Sequence, residues 1–150
     1  MSLESKVSVK TLYTRSINLE RDQDSLDVLK SYVPTSRALR TLRRIAESMN
    51  DQGSPRAWTL VGPYGSGKSA FSLFASELLC SELGEFQLIA NEKVRKLDAQ
   101  LDRQISAGLG DGSGMMRVLL TGSPSALAPR LLEAILRESE AVFERSKGRS

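Results

Sequence analysis

Apolar residues recur at helical spacing along most of this chain and run together, strand-like, in a few short stretches. Near the start, "VSVKTLYTRSINL" alternates in part and predicts an extended arm or an edge strand. From Asp24 or Ser25 onward, Leu26, Val28 and Leu29 predict a short helix. Pro34 interrupts it, because proline has no N–H and its ring clashes with the preceding turn. "TSRALRTLRRIAESMN" predicts a second helix, with Thr35 or Ser36 as N-cap. Leu39, Leu42, Ala46 and Met49 share one of its faces with Ile45 beside them, and Arg37, Arg40, Arg43 and Arg44 fall largely on the other. After the loop "NDQGSPR", the run "AWTLV" (Ala57 to Val61) reads as a buried parallel strand.

Farther along, "KSAFSLFASELLCSELG" brings Ala70, Phe71, Phe74, Ala75, Leu78 and Leu79 round at helical spacing. Leu73, Cys80 and Leu83 widen that face, and Gly84 stands where a C-terminal cap belongs. Phe86 to Ala90 fits either a short strand or the lead-in to a helix. "NEKVRKLDAQLDRQIS" reads as one amphipathic helix with Val94, Leu97, Leu101 and Ile105 as its buried line. Ala107 to Gly114 predicts a glycine-rich loop, and Met116 to Gly122 a second strand. A closing helix begins between Ser125 and Pro129, with Leu131, Leu132, Ile135, Leu136, Val142 and Phe143 on its apolar side. Helices alternating with strands predict an α/β fold, a parallel sheet flanked by helices. On this reading residues 1–54 form an N-terminal arm with the Arg-rich helix, and residues 55–150 a partial nucleotide-binding core.

The stretch "GPYGSGKS" carries the chemistry. Gly62, Gly67, Lys68 and Ser69 fit G-x-x-x-x-G-K-[ST], the Walker A pattern. Successive backbone N–H groups wrap a triphosphate only where the chain bends in ways that side chains resist, and Gly62, Gly65 and Gly67 permit those bends. The helix behind aims its unpaired N–H groups and positive dipole end at the phosphates. The expected cradle is Gly62, Pro63, Tyr64, Gly65, Ser66, Gly67, Lys68, Ser69 and Ala70. In it Lys68 supplies the catalytic point charge on the β/γ side of ATP, and the Ser69 hydroxyl binds Mg²⁺, which takes oxygen ligands. Hydrolysis also needs an acid at the end of a second apolar strand. "QLIANE" comes nearest, with Asn91 and Glu92 in the critical places. Thr121 or Ser123 can serve as a γ-phosphate sensor or simply end a strand; Asp98 and Asp102 read as solvated.

Composition narrows the picture. The 150 residues include no histidine, which excludes Ser-His-Asp and Cys-His catalysis and most zinc sites. Cys80 is the single cysteine, so no internal disulfide forms; with no signal peptide in view, a reducing cytoplasm is expected. No apolar run approaches the roughly 20 residues of a membrane span. The net charge of +3 permits a nucleic-acid partner without demanding one.

"YVPTSRALRTLRRI" followed by "RAWTLVGPYGSGKSAF" resembles the start of an AAA+/STAND-type module of the P-loop NTPases. There a box of the form apolar-x-G-R-x-x-x-L-x-x-L precedes the phosphate loop; Arg37, Leu39 and Leu42 match it, and Ser36 replaces its glycine. More narrowly, "INLERD" and "VLLTGSPSALAPRLLEAI" resemble the N-terminal region of large bacterial ATPases of the phage-defence type. The resemblance implies that Tyr32 and Val33 sit near adenine, that the acidic strand comes later in a longer protein, and that this chain is an N-terminal piece. The expected function is therefore binding of ATP and Mg²⁺ as part of an ATPase module. The alternatives are a small-molecule kinase, for which Arg130 and Arg137 are the lid candidates, and a non-catalytic nucleotide-binding module. The arginines Arg37, Arg40, Arg43 and Arg44 are the candidate contact for DNA or an acidic protein, within a homo-oligomer or a larger complex.

Overall fold

Helices carry the structure. The computed structural model describes residues 16–80, 84–110 and 115–147. Its helices are α1 (Leu19–Asp22), α2 (Leu26–Ser31), α3 (Ser36–Asn50), α4 (Lys68–Leu79), α5 (Glu85–Leu97), α6 (Ala99–Leu109) and α7 (Leu127–Lys147). The chain ahead of Ser16, which holds most of the expected extended arm, lies outside the described residues.

Local chemistry explains the helix starts. The Thr35 hydroxyl accepts a hydrogen bond from the Ala38 N–H at 3.2 Å and caps α3. Asp98 caps α6 by accepting from the Leu101 N–H at 2.9 Å. That cap also divides what the periodicity joins. With φ −156° and ψ 88°, Asp98 leaves helical geometry, so α5 and α6 are separate helices that meet at a corner. Val94, Leu101 and Ile105 are buried as expected, whereas Leu97, just before the corner, is 54% exposed. Gly84 begins α5 rather than capping α4, and the segment from Phe86 to Ala90 is helical.

One apolar core joins α2 to α6. Leu42 of α3, Phe74 and Leu78 of α4, Ala90 and Val94 of α5, and Leu101 and Ile105 of α6 form its centre. The closest approach is between α3 and α6. A Cβ built on Gly108 would lie 2.9 Å from the Met49 Cβ, so a hydrogen is what lets these helices touch there. The Asn50 side chain fastens the same contact, donating from Nδ2 to the Ala46 carbonyl at 2.8 Å and to the Gln104 carbonyl at 3.0 Å.

The α/β expectation is overturned. Among the described residues there is no β-sheet; the one ladder contact is an isolated parallel bridge between Cys80 and Met115. The reason is a shortage of strands. Between the glycine loop and Met115 the described chain is spent on α4, α5 and α6, leaving two apolar runs, residues 57–61 and 116–121. Both lie outside helices. Two short strands alone cannot satisfy their own backbone groups or bury a face, and a parallel pair is the weaker arrangement. Val61 is accordingly 89% exposed, not buried. The 116–121 run is held by side chains instead. Arg117 forms an ion pair with the nearly buried Glu77 of α4, and Arg130 of α7 donates to the Thr121 carbonyl at 2.8 Å and to Glu20 Oε1 at 2.9 Å. The Thr121 hydroxyl, with a smaller contribution from Arg130, holds the Glu20 carboxyl below its ordinary pKa. Helix α7 forms where expected, but its apolar side faces outward: Leu132, Leu136 and Phe143 are exposed, and Ala134 is its buried residue among those described.

Candidate functional site

The Gly62–Ser69 stretch is a wound loop on the N-terminus of α4. Gly65 and Gly67 have φ of 77° and 82°, the left-handed region that favours glycine, and Gly67 is the N-cap. Gly62 differs: a Cβ there would come within 2.9 Å of the Ser66 Oγ, a side-chain end that can turn aside, so the position is tight without requiring glycine. The Ser66 N–H donates to the Pro63 carbonyl at 3.3 Å and closes the turn.

Lys68 reaches back across this turn. Its Nζ donates to the Gly62 carbonyl and the Pro63 carbonyl, each at 2.8 Å, and to the Ser66 Oγ at 3.4 Å. An ammonium has three donors, and the loop supplies three oxygens. Gly67 brings no side chain to cap α4, whose first intrahelical bond runs from the Phe71 N–H to the Gly67 carbonyl. The N–H groups of Lys68, Ser69 and Ala70 therefore have no acceptor within the helix, and they add to its positive end.

This loop forms one wall of a cleft of about 190 Å³. Gly62, Ser66, Gly67 and Lys68 line it from the loop; Thr35, Arg37, Ala38 and Thr41 line it from α3 and its cap. Tyr32, Leu60, Val61 and Phe71 add apolar surface. The Tyr32 ring packs on Phe74 with centroids 4.7 Å apart, and burial pushes its phenol up to about 12, so it is a neutral donor at any physiological pH.

The expected cradle is thus divided. Four of its residues face the cleft; Pro63, Tyr64 and Gly65 form the exposed outer turn, where the Tyr64 hydroxyl meets that of Ser16. Ser69 lies half-buried in the first turn of α4, and Ala70 lines the side of α4 toward Val28 and Leu29. Asn91 and Glu92 are on helix α5, with Glu92 paired to Lys96, and so form no acidic strand end. Thr121 hydrogen-bonds to Asn18, and Ser123 Oγ accepts from the Ser125 N–H in a turn. Among the described residues, no three acidic or thiol side chains gather as a metal cage. Thr35, Thr41 and Phe71 line the cleft without any motif to mark them. Helical spacing alone groups Arg37 with Thr41, one turn apart on α3.

A second, polar groove of about 430 Å³ runs along α3, lined by Arg37, Arg40, Thr41, Arg43, Arg44 and Glu47. Its four arginines are not equivalent. Arg43 is bound to Asp98, which is therefore more than a solvated residue. Among the described residues, no acid lies within ion-pair distance of Arg37, Arg40 or Arg44.

Comparison with protein-family models, curated proteins and solved structures finds no match to this chain. With no sheet behind the loop among the described residues and no family match, the assignment to the P-loop NTPases, and within them to AAA+/STAND-like ATPases of the phage-defence type, is corrected. The glycine-lysine motif stands on its own local geometry.

Proposed function

We propose that the cleft binds a nucleoside triphosphate, ATP being the expected form, together with Mg²⁺. One observation carries the reading. Lys68 closes a glycine loop in left-handed conformation over uncapped amides at the start of a helix, and that loop opens into a cleft with an apolar end. The phosphates would take the open N–H groups and the Lys68 ammonium. The Ser69 hydroxyl would supply one ligand to Mg²⁺, which otherwise keeps waters and phosphate oxygens and needs few protein groups. Tyr32, Leu60 and Phe71 would offer the base an apolar surface. Arg37, Arg40 and Arg44 would bind a polyanion, DNA before acidic protein, because guanidinium forks match phosphate oxygens. Assembly into an oligomer or larger complex is supported by the exposed apolar side of α7. Among the described residues no helix is long and apolar enough to cross a membrane.

Calorimetric titration of ATP, ADP and GTP with and without Mg²⁺ tests the reading. Lys68→Ala should weaken ATP binding by about tenfold or more, the range for losing a charged hydrogen-bond donor. Its circular dichroism should stay that of the parent, since the Lys68 side chain hydrogen-bonds only within its own loop. Unchanged ATP affinity in that variant rejects the proposal.

A further inference from the structure

Arg37 and Thr41 line both the loop-side cleft and the arginine groove. They stand one helical turn apart, the Thr41 hydroxyl donating to the Arg37 carbonyl at 3.1 Å, and form a ridge with one site on each side. Arg37 is exposed, sits in the first turn of α3, and has no carboxylate within ion-pair distance among the described residues, Glu47 lying farther along the same groove. A long guanidinium at such a place reaches either side. Arg40 and Arg44 remain on the groove side, while Asp98 holds Arg43.

Resting on the nucleotide reading above, we propose that Arg37 is shared between the two sites, so that a nucleotide in the cleft and a nucleic-acid strand in the groove weaken each other's binding. A bound polyphosphate draws the Arg37 guanidinium toward Lys68. The groove then keeps Arg40 and Arg44 and loses one of its phosphate contacts. Nucleic acid is favoured over an acidic peptide because the groove is lined by polar and charged side chains, with no apolar pocket to anchor a peptide. By linkage, the loss must be equal in both directions.

The test is fluorescence anisotropy of a labelled oligonucleotide, with and without saturating Mg²⁺-ATP, on the parent chain, Arg37→Gln, Arg40→Gln and Lys68→Ala. In the parent, nucleotide should weaken oligonucleotide binding by about fivefold or more, within the usual range of coupling between sites. Arg40→Gln should bind the oligonucleotide less well and keep that ratio. Arg37→Gln should bind it less well, with a shallower salt dependence, and lose the ratio. Lys68→Ala should bind it as the parent does and ignore ATP. Several results overturn the proposal: parent binding that ATP leaves unchanged, a ratio that survives in Arg37→Gln, or displacement of the oligonucleotide by polyglutamate at equal charge concentration. Absence of ATP binding by calorimetry rejects the nucleotide reading as well. ATP binding without oligonucleotide binding rejects the coupling alone.

Discussion

Phe74 is fully buried; Val61, on the other side of the glycine loop, is 89% exposed. Both residues come from runs that look equally suited to a core. The difference lies in what each run has beside it. Around Phe74, Val28 and Leu29 of α2, Tyr32, and Phe86 of α5 supply apolar neighbours, and a helix satisfies its own backbone. Among the described residues Val61 has no neighbouring strand, and residues 57–67 are exposed. Fold stability is thus concentrated in the α2–α6 core. The candidate site spans the boundary, with Tyr32 and Phe71 inside the core's edge and the loop hanging from one helix end.

The contrast makes graded expectations. Phe74→Ala should cost about 3–5 kcal/mol by denaturant unfolding, the range for emptying a large aromatic site in a packed interior. A loss below 1 kcal/mol would mean that the core is not where stability resides. Asp98→Asn should come next, and its effect should depend on pH. The Leu101 N–H does most to hold the Asp98 carboxyl below its ordinary value of 3.8; burial opposes it, and Arg43 adds a smaller lowering effect. Its charge therefore stabilises the fold above that unfolded value, and the contribution fades as pH falls through the lower, folded one. Thermal melts of parent and Asp98→Asn should differ at pH 7 and draw together as pH falls below the ordinary aspartate value; parallel curves would remove Asp98 from the account. The smallest effect belongs to α7. In protein dilute enough to keep protomers apart, Leu132→Ser should change stability by no more than about 0.5 kcal/mol, as surface substitutions do. A large loss would show that this face is covered in solution.

The helical half of the fold was legible because capping and 3.6-residue spacing agree. Thr35, Ser25 and the Leu42–Ala46 face place α2 and α3, and the apolar line of Phe71, Phe74 and Leu78 places α4. Two features were not. The corner at Asp98 interrupts an apolar periodicity that runs straight through it; only the capping preference of aspartate hinted at a new helix start. The missing sheet is a matter of numbers, since "AWTLV" and "RVLLT" each look like strands, and strandness is decided by partners at a distance. At the candidate site the motif marks Gly62, Gly67 and Lys68 plainly. Tyr32 and Arg37 lie in the stretch that carries the resemblance, but helical spacing and capping alone do not bring them to the cleft wall; tertiary packing does.

Lys68 adds a kinetic consequence. Its ammonium already occupies the throat of the loop, clasped by neutral carbonyl dipoles, with Gly65 and Gly67 held in their unusual turns around it. On the proposed reading, an arriving phosphate would have only to swing that one side chain from dipole to charge. That is a motion of the picosecond-to-nanosecond kind, so admission to this loop should be limited by encounter rather than by reshaping.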